Sequence, residues 1–134
     1  MYKIKTGHGG ITQRDNKDIV IFVSSTHKLR EIGVPFLFTN QHAYPPNTDY
    51  YSDVANLNQI DWPLLRSKNF KTDDDDPGKQ LRYQAEALVH KHVPWNALLG
   101  IGCFNNNAKQ KMESMTHARG QEMSVKTTPT WYSR

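Results

Sequence analysis

The stretch Arg82-Tyr83-Gln84-Ala85-Glu86-Ala87-Leu88-Val89-His90 decides how this chain is read. Residues 85–89 have the small and β-branched content of a strand, and a strand places residues i and i+2 on one face. Gln84 and Glu86 should therefore aim their polar ends the same way. Ala87, Leu88 and Val89 belong in a core on this reading. A carboxylate where an apolar run begins loses hydration on burial and needs a partner or a task. The residues alone leave two readings of Glu86 open: an exposed strand-end glutamate, the commoner case, or a working carboxylate.

Outward from this block the strand pattern recurs. Ile19-Val20-Ile21-Phe22-Val23 is a continuous β-branched and aromatic run, Pro35-Phe36-Leu37-Phe38-Thr39 a second, and Leu98-Leu99-Gly100-Ile101-Gly102-Cys103-Phe104 a third. Tyr2 and Ile4 alternate with lysines as an edge strand would, with Gly7-His8-Gly9-Gly10 as turn chemistry behind them, and residues 124–127 suit a last strand. Helical signals are few. Ser25 to Gly33 has a capping serine and a terminal glycine. Residues 106–119, capped by Asn and stopped by Gly120, place Ala108, Met112 and Met115 on one face. From 40 to 82 the chain makes a long crossing rich in Tyr, Trp and Pro, with short helices expected at 52–57 and 61–67. The class is α+β, with five or six strands and few short helices.

The length of 134 residues fits one domain spanning 1–134. Counting Gly and leaving out Tyr, the apolar share is roughly 38–39%, against about 45–50% for an average globular chain. The core is thin for the length. A net charge of +4 suits an anionic partner. The single Cys103 can form no internal disulfide and sits in an apolar run, as a buried thiol of a reducing compartment does. No apolar stretch approaches the ~20 residues of a membrane span, so the expected location is cytoplasmic.

Three clusters carry chemistry. His42 lies just beyond a strand end, where a loop on a rigid scaffold can face a ligand; on position alone a histidine hydrogen-bonded to loop backbone is the commoner case. Lys68, Lys71, Lys79 and Arg82 interleave with Trp62, Phe70 and Tyr83, joining phosphate-seeking charge to flat stacking faces; a basic surface anchored by aromatics is the equal alternative. His90, His92 and the run Asp73-Asp74-Asp75-Asp76 complete no ligand set with metal spacing, so no metal is expected.

Pro35-Phe36-Leu37-Phe38-Thr39-Asn40-Gln41-His42-Ala43-Tyr44-Pro45, Ile60-Asp61-Trp62-Pro63-Leu64-Leu65, Arg82 to His90 and Val93-Pro94-Trp95 together resemble the DarT family, the DNA ADP-ribosyltransferase toxins of DarT–DarG systems. The resemblance implies the ADP-ribosyltransferase fold, a split β-sheet, with NAD as co-substrate. It implies that Glu86 is catalytic, that Gln84 occupies the first position of a Gln/Glu-x-Glu pair toward NAD, and that Met1 falls on an internal segment near it. The stretch from 42 to 86 then corresponds to the substrate-recognising loop. His42 would lie near the target base, and Tyr44, Trp62, Lys68, Lys71 and Lys79 would meet single-stranded DNA. A DarG-type macrodomain antitoxin is the implied partner, and thymine the implied base. The family's amino-terminal part, with a pocket histidine and a catalytic arginine, finds no counterpart here, so the chain is expected to be the carboxy-terminal portion of the family domain, lacking part of its amino-terminal half and poor as a transferase by itself. None of Arg14, Arg30 and Arg119 stands in a motif that gives it the arginine's role.

Two further function classes fit the residues. A non-enzymatic single-strand-binding remnant would bind DNA without NAD, and a metal-dependent nuclease using His90, His92 and the aspartates would require a divalent cation.

Overall fold

A computed structural model describes Ile4 and residues 7–132. They form two compact units, one of Met1–Ser25 with Pro94–Arg134, the other Thr26–Val93. The mixed α+β class with few short helices is as expected.

In the first unit, the β-branched run becomes β1 (Val20–Val23). It pairs antiparallel with β5 (Gly100–Cys103), which pairs in parallel with β6 (Val125–Thr127). Alternation along β5 divides the sheet's faces. Ile101 and Cys103 join Val125 in a buried cluster, against which Val20, Trp95, Ala108, Met112 and Met123 pack. Gly100 and Gly102 take the other face, and there glycine is required. A Cβ at Gly102 would stand 2.9 Å from the Trp131 ring and 2.8 Å from Thr128 Oγ1. Tyr132 is buried, its hydroxyl 2.8 Å from the Gly102 carbonyl and 3.0 Å from that of Ile19. Burial pushes the Cys103 thiol up, which suits a packing role.

The last helix, Asn106–Ala118, is capped by Asn105, whose Oδ1 accepts from Ala108 N–H at 2.9 Å. Its buried stripe runs Ala108, Met112, Thr116 at i, i+4 and i+8, while Met115, expected on that face, is 43% exposed. At about 100° per residue Met115 stands about 60° round the axis from Met112, on the side away from Thr116, at the margin of the buried stripe. The expected edge strand at Tyr2 and Ile4 falls on residues of which only Ile4 is described, and Ile4 is helical.

In the second unit, α1 (Thr26–Glu31) ends where Gly33 turns left-handed at φ 72°. The sheet that follows has the order β3-β2-β4, all antiparallel: β3 (Tyr50–Tyr51), β2 (Phe36–Thr39) and β4 (Ala87–Val89). Phe38 and Thr39 are buried, Phe38 stacking on Tyr51 with ring centroids 5.5 Å apart. Leu37 pairs with Leu88 in register, and both are substantially exposed. The expected core at Ala87, Leu88 and Val89 is thus not formed: Ala87 and Leu88 are exposed and Val89 only half-buried, because a three-residue edge strand has neighbours on too few sides. The long crossing holds a 3-10 helix at Val54–Gln59, α2 (Trp62–Ser67) and α3 (Lys79–Arg82).

Candidate active site

Glu86 sits one residue ahead of β4, after a turn at Tyr83 and Gln84 that follows α3. Strand geometry therefore does not relate Gln84 to Glu86. Gln84 is exposed in the turn and its amide donates to the Gln80 carbonyl at 3.0 Å, because α3 runs up to Arg82 and leaves too little chain for an extended Gln84.

The Glu86 backbone is tied to the end of β2: Thr39 N–H donates to its carbonyl at 2.9 Å, and its own N–H donates to Thr39 Oγ1 at 3.2 Å. The carboxylate reaches the loop that follows β2, where Oε1 accepts the Ala43 N–H at 2.9 Å. That loop is braced along its length. His42 N–H donates to the Leu81 carbonyl, Thr48 Oγ1 to the His42 carbonyl at 2.8 Å, and the Tyr50 hydroxyl to the Ala43 carbonyl at 2.6 Å.

His42 Nδ1 lies 3.7 Å from Glu86 Oε1 and accepts the Tyr44 N–H at 3.1 Å. An Nδ1 that accepts carries no proton, so the neutral ring bears its proton on Nε2 and the contact with Glu86 is not an ion pair. Glu86 and His42 each keep 41% of the side chain exposed. Among the described ion pairs, no Lys or Arg meets the Glu86 carboxylate. A carboxylate fixed through one oxygen and open to solvent can accept a hydroxyl and face a developing cation. Tyr44 projects beyond the brace, 89% exposed.

The expected DNA-facing residues divide. Lys68 and Lys71 are exposed. Lys79 is not available as a surface cation: it is 4% exposed, its ammonium 3.6 Å from Asp73, because the acidic run folds over it. Arg82 is likewise engaged, Nε with Asp61 at 3.1 Å and the fork bidentate on Asp76 at 3.0 and 2.6 Å. The hydrogen-bonded Asp76 raises the Arg82 pKa still further and is itself lowered from the ordinary aspartate value. Trp62 spends its indole N–H on the Leu57 carbonyl at 2.7 Å and stays 39% exposed, and Phe70 tilts against Tyr83 at 4.7 Å. Met1 lies outside the described residues. No group of three metal-ligating side chains occurs among the described residues. Sequence reasoning passed over Thr39 and Thr48, both buried; the signal for Thr39 was a threonine closing an apolar run directly before a loop, where its hydroxyl serves backbone groups, and Thr48, inside the loop, gave none.

A DNA ADP-ribosyl transferase of Escherichia coli O127:H6 (strain E2348/69 / EPEC) is 43% identical over 132 residues, covering 98% of this chain and 61% of that protein. The fold is that of Thermus sp. 2.9 DarT, solved in complex with NAD+ and with ADP-ribosylated ssDNA. Both structures give a TM-score of 0.88 at 22% identity over 98% of this chain, covering 66% and 62% of theirs. The chain thus spans about three fifths of the length of the Escherichia coli relative. No described helix is long and apolar enough to cross a membrane. Since the family model described as ssDNA thymidine ADP-ribosyltransferase, DarT, matches residues 1–133, the chain belongs to the DarT family.

Proposed function

We propose that the protein transfers ADP-ribose from NAD+ to thymine in single-stranded DNA. The observation that carries this reading is the carboxylate of Glu86, tied through its backbone to Thr39 and through Oε1 to Ala43, and open on its remaining side. Family membership supports it, as do the NAD+ and the modified DNA named for the Thermus structures.

In the reaction, the bond from ribose C1′ to the nicotinamide nitrogen breaks, a bond from C1′ to a thymine ring nitrogen forms, and the proton of that nitrogen leaves to a base. Positive charge grows on the ribose as nicotinamide departs. Glu86 accepts the 2′-hydroxyl and stabilises that charge. His42, with its proton on Nε2, donates to a carbonyl of the base and orients it, and does not take the ring proton. Tyr44 offers a stacking face, with Trp62 beside α2 as a second, and Lys68 and Lys71 meet phosphates. Lys79 and Gln84 are given no substrate contact. The location is the cytoplasm, and the partner is a DarG-type macrodomain antitoxin, as the DarT–DarG resemblance implies.

The test is labelled NAD+ with single-stranded oligonucleotides, the product identified by mass. Glu86→Ala should lower transfer by about 100-fold or more and leave oligonucleotide affinity nearly unchanged. Transfer within a few-fold of the parent removes Glu86 from the reaction. DNA binding with no NAD+ binding by the unmodified protein favours the binding-module reading.

A further inference from the structure

We propose that Thr39 is a positioning residue for the reaction, its one hydroxyl setting the Glu86 carboxylate against the loop that carries His42. The proposal rests on the reading of Glu86 given above. Thr39 closes β2 and is fully buried. Its Oγ1–H donates to the Gln41 carbonyl at 2.6 Å, and the same oxygen accepts the Glu86 N–H at 3.2 Å. One atom therefore joins two segments that are distant in sequence. Two residues past Gln41, the Ala43 N–H reaches back to Glu86 Oε1 at 2.9 Å. The path from Thr39 Oγ1 through Gln41 to Ala43, on to Oε1 and back through the Glu86 N–H is closed. His42 lies inside it, between the two loop residues that make the contacts.

A closed path fixes both ends of the Glu86 side chain and the distance at which the imidazole stands from it. Replacing the hydroxyl by a methyl of the same shape leaves the Gln41 carbonyl and the Glu86 N–H without that partner beside a fully buried side chain. Both segments then shift to find other partners. A displacement of about 1 Å at reacting groups can cost on the order of 100-fold in rate. A threonine that served stability alone would lower the folded fraction and leave the turnover of folded molecules unchanged.

The experiment compares Thr39→Val, Thr39→Ser and Glu86→Gln in the whole protein, with steady-state transfer kinetics and a melting temperature for each. Thr116→Val, at a buried threonine of the last helix whose hydroxyl donates to Glu113, is the control for lost buried hydroxyls. Thr39→Val should lower kcat about 10- to 100-fold with KM for NAD+ within about twofold, Thr39→Ser should restore most of it, and Thr116→Val should turn over normally. If the valine variant does not fold, Thr39→Ala against Thr39→Ser makes the same comparison. An inactive Glu86→Gln with Thr39→Val at parental kcat overturns the positioning role and leaves the reaction reading intact. An active Glu86→Gln overturns the reaction reading, and the Thr39 role with it.

Discussion

The ammonium of Lys79 lies against Asp73 with only 6% of its side chain exposed, whereas Lys71, eight positions earlier, is out in solvent. In the sequence the two are equivalent cations among aromatics. Burial at the first residue of a four-residue helix has no periodicity to betray it, so nothing short of the folded acidic run distinguishes them. Their substitutions should separate cleanly. Lys71→Ala should flatten the salt dependence of single-strand binding by roughly 0.7 in the log–log slope, one phosphate contact's share, and leave the melting temperature alone. Lys79→Ala should keep the slope and lower the melting temperature, since it leaves Asp73 without its cation and a gap where the lysine stem packed. Fluorescence anisotropy across a salt series and thermal melts measure both. As a candidate, Glu86 stands out in the sequence as a carboxylate heading an apolar run, and the resemblance is what gives it a role. Its bracing by Thr39 does not stand out, because a backbone-serving hydroxyl looks like any other threonine.

Across the crossing from 40 to 82, the short helices announce themselves through their caps. Asp53 accepts from Ala55 N–H, and Asp61 from Leu64 N–H with Pro63 in the first turn, which is why helices at 52–57 and 61–67 were readable from the sequence. The two-residue β3 and the four-residue α3 are too short to show a period. Missing α3 also misplaced Gln84, assigned to a strand that begins only at Ala87. What fastens these pieces is Arg82, which binds the cap of α2 and the acidic run together. Its hydrogen bond holds the Asp76 carboxyl below the ordinary value of 3.8. An aspartate whose pKa is lower folded than unfolded stabilises the folded chain above the ordinary value, and that contribution fades as pH falls through the depressed one. Asp76→Asn should therefore melt lower than the parent at pH 7, and the gap should close under strong acid. A gap that persists unchanged at acid pH would show that the carboxylate's charge is not what holds the loop.

For the molecule as a whole, the four-residue strands and the last helix followed from β-branched or aromatic runs and a capped apolar stripe, signals strong enough to survive without context. The thin composition shows in the structure as well: the second unit's sheet leaves Leu37 and Leu88 substantially exposed. The net charge of +4 says only that an anion is welcome; the exposed ring of Tyr44 says more. Stacking on Tyr44 needs an unpaired base face and contributes about 1–3 kcal/mol per base. The protein should accordingly prefer a single strand over a duplex of the same sequence at fixed salt, and Tyr44→Ala should erase much of that preference. Equal affinities for the two forms would remove this loop from the role of DNA grip.

Asp61, Asp76 and Arg82 also constrain the gene's history. A lineage that replaces Arg82 by a neutral residue strands two carboxylates beside each other, and one that replaces a single aspartate weakens the tie the other depends on. A single substitution here breaks a shared tie rather than one isolated pair, and the three codons should tend to change together or stay. Lys17 and Asp15, 3.3 Å apart with 61% and 68% of their side chains exposed, are under no such bond. Among homologous sequences the exposed pair should vary independently while the hydrogen-bonded trio is inherited as a set.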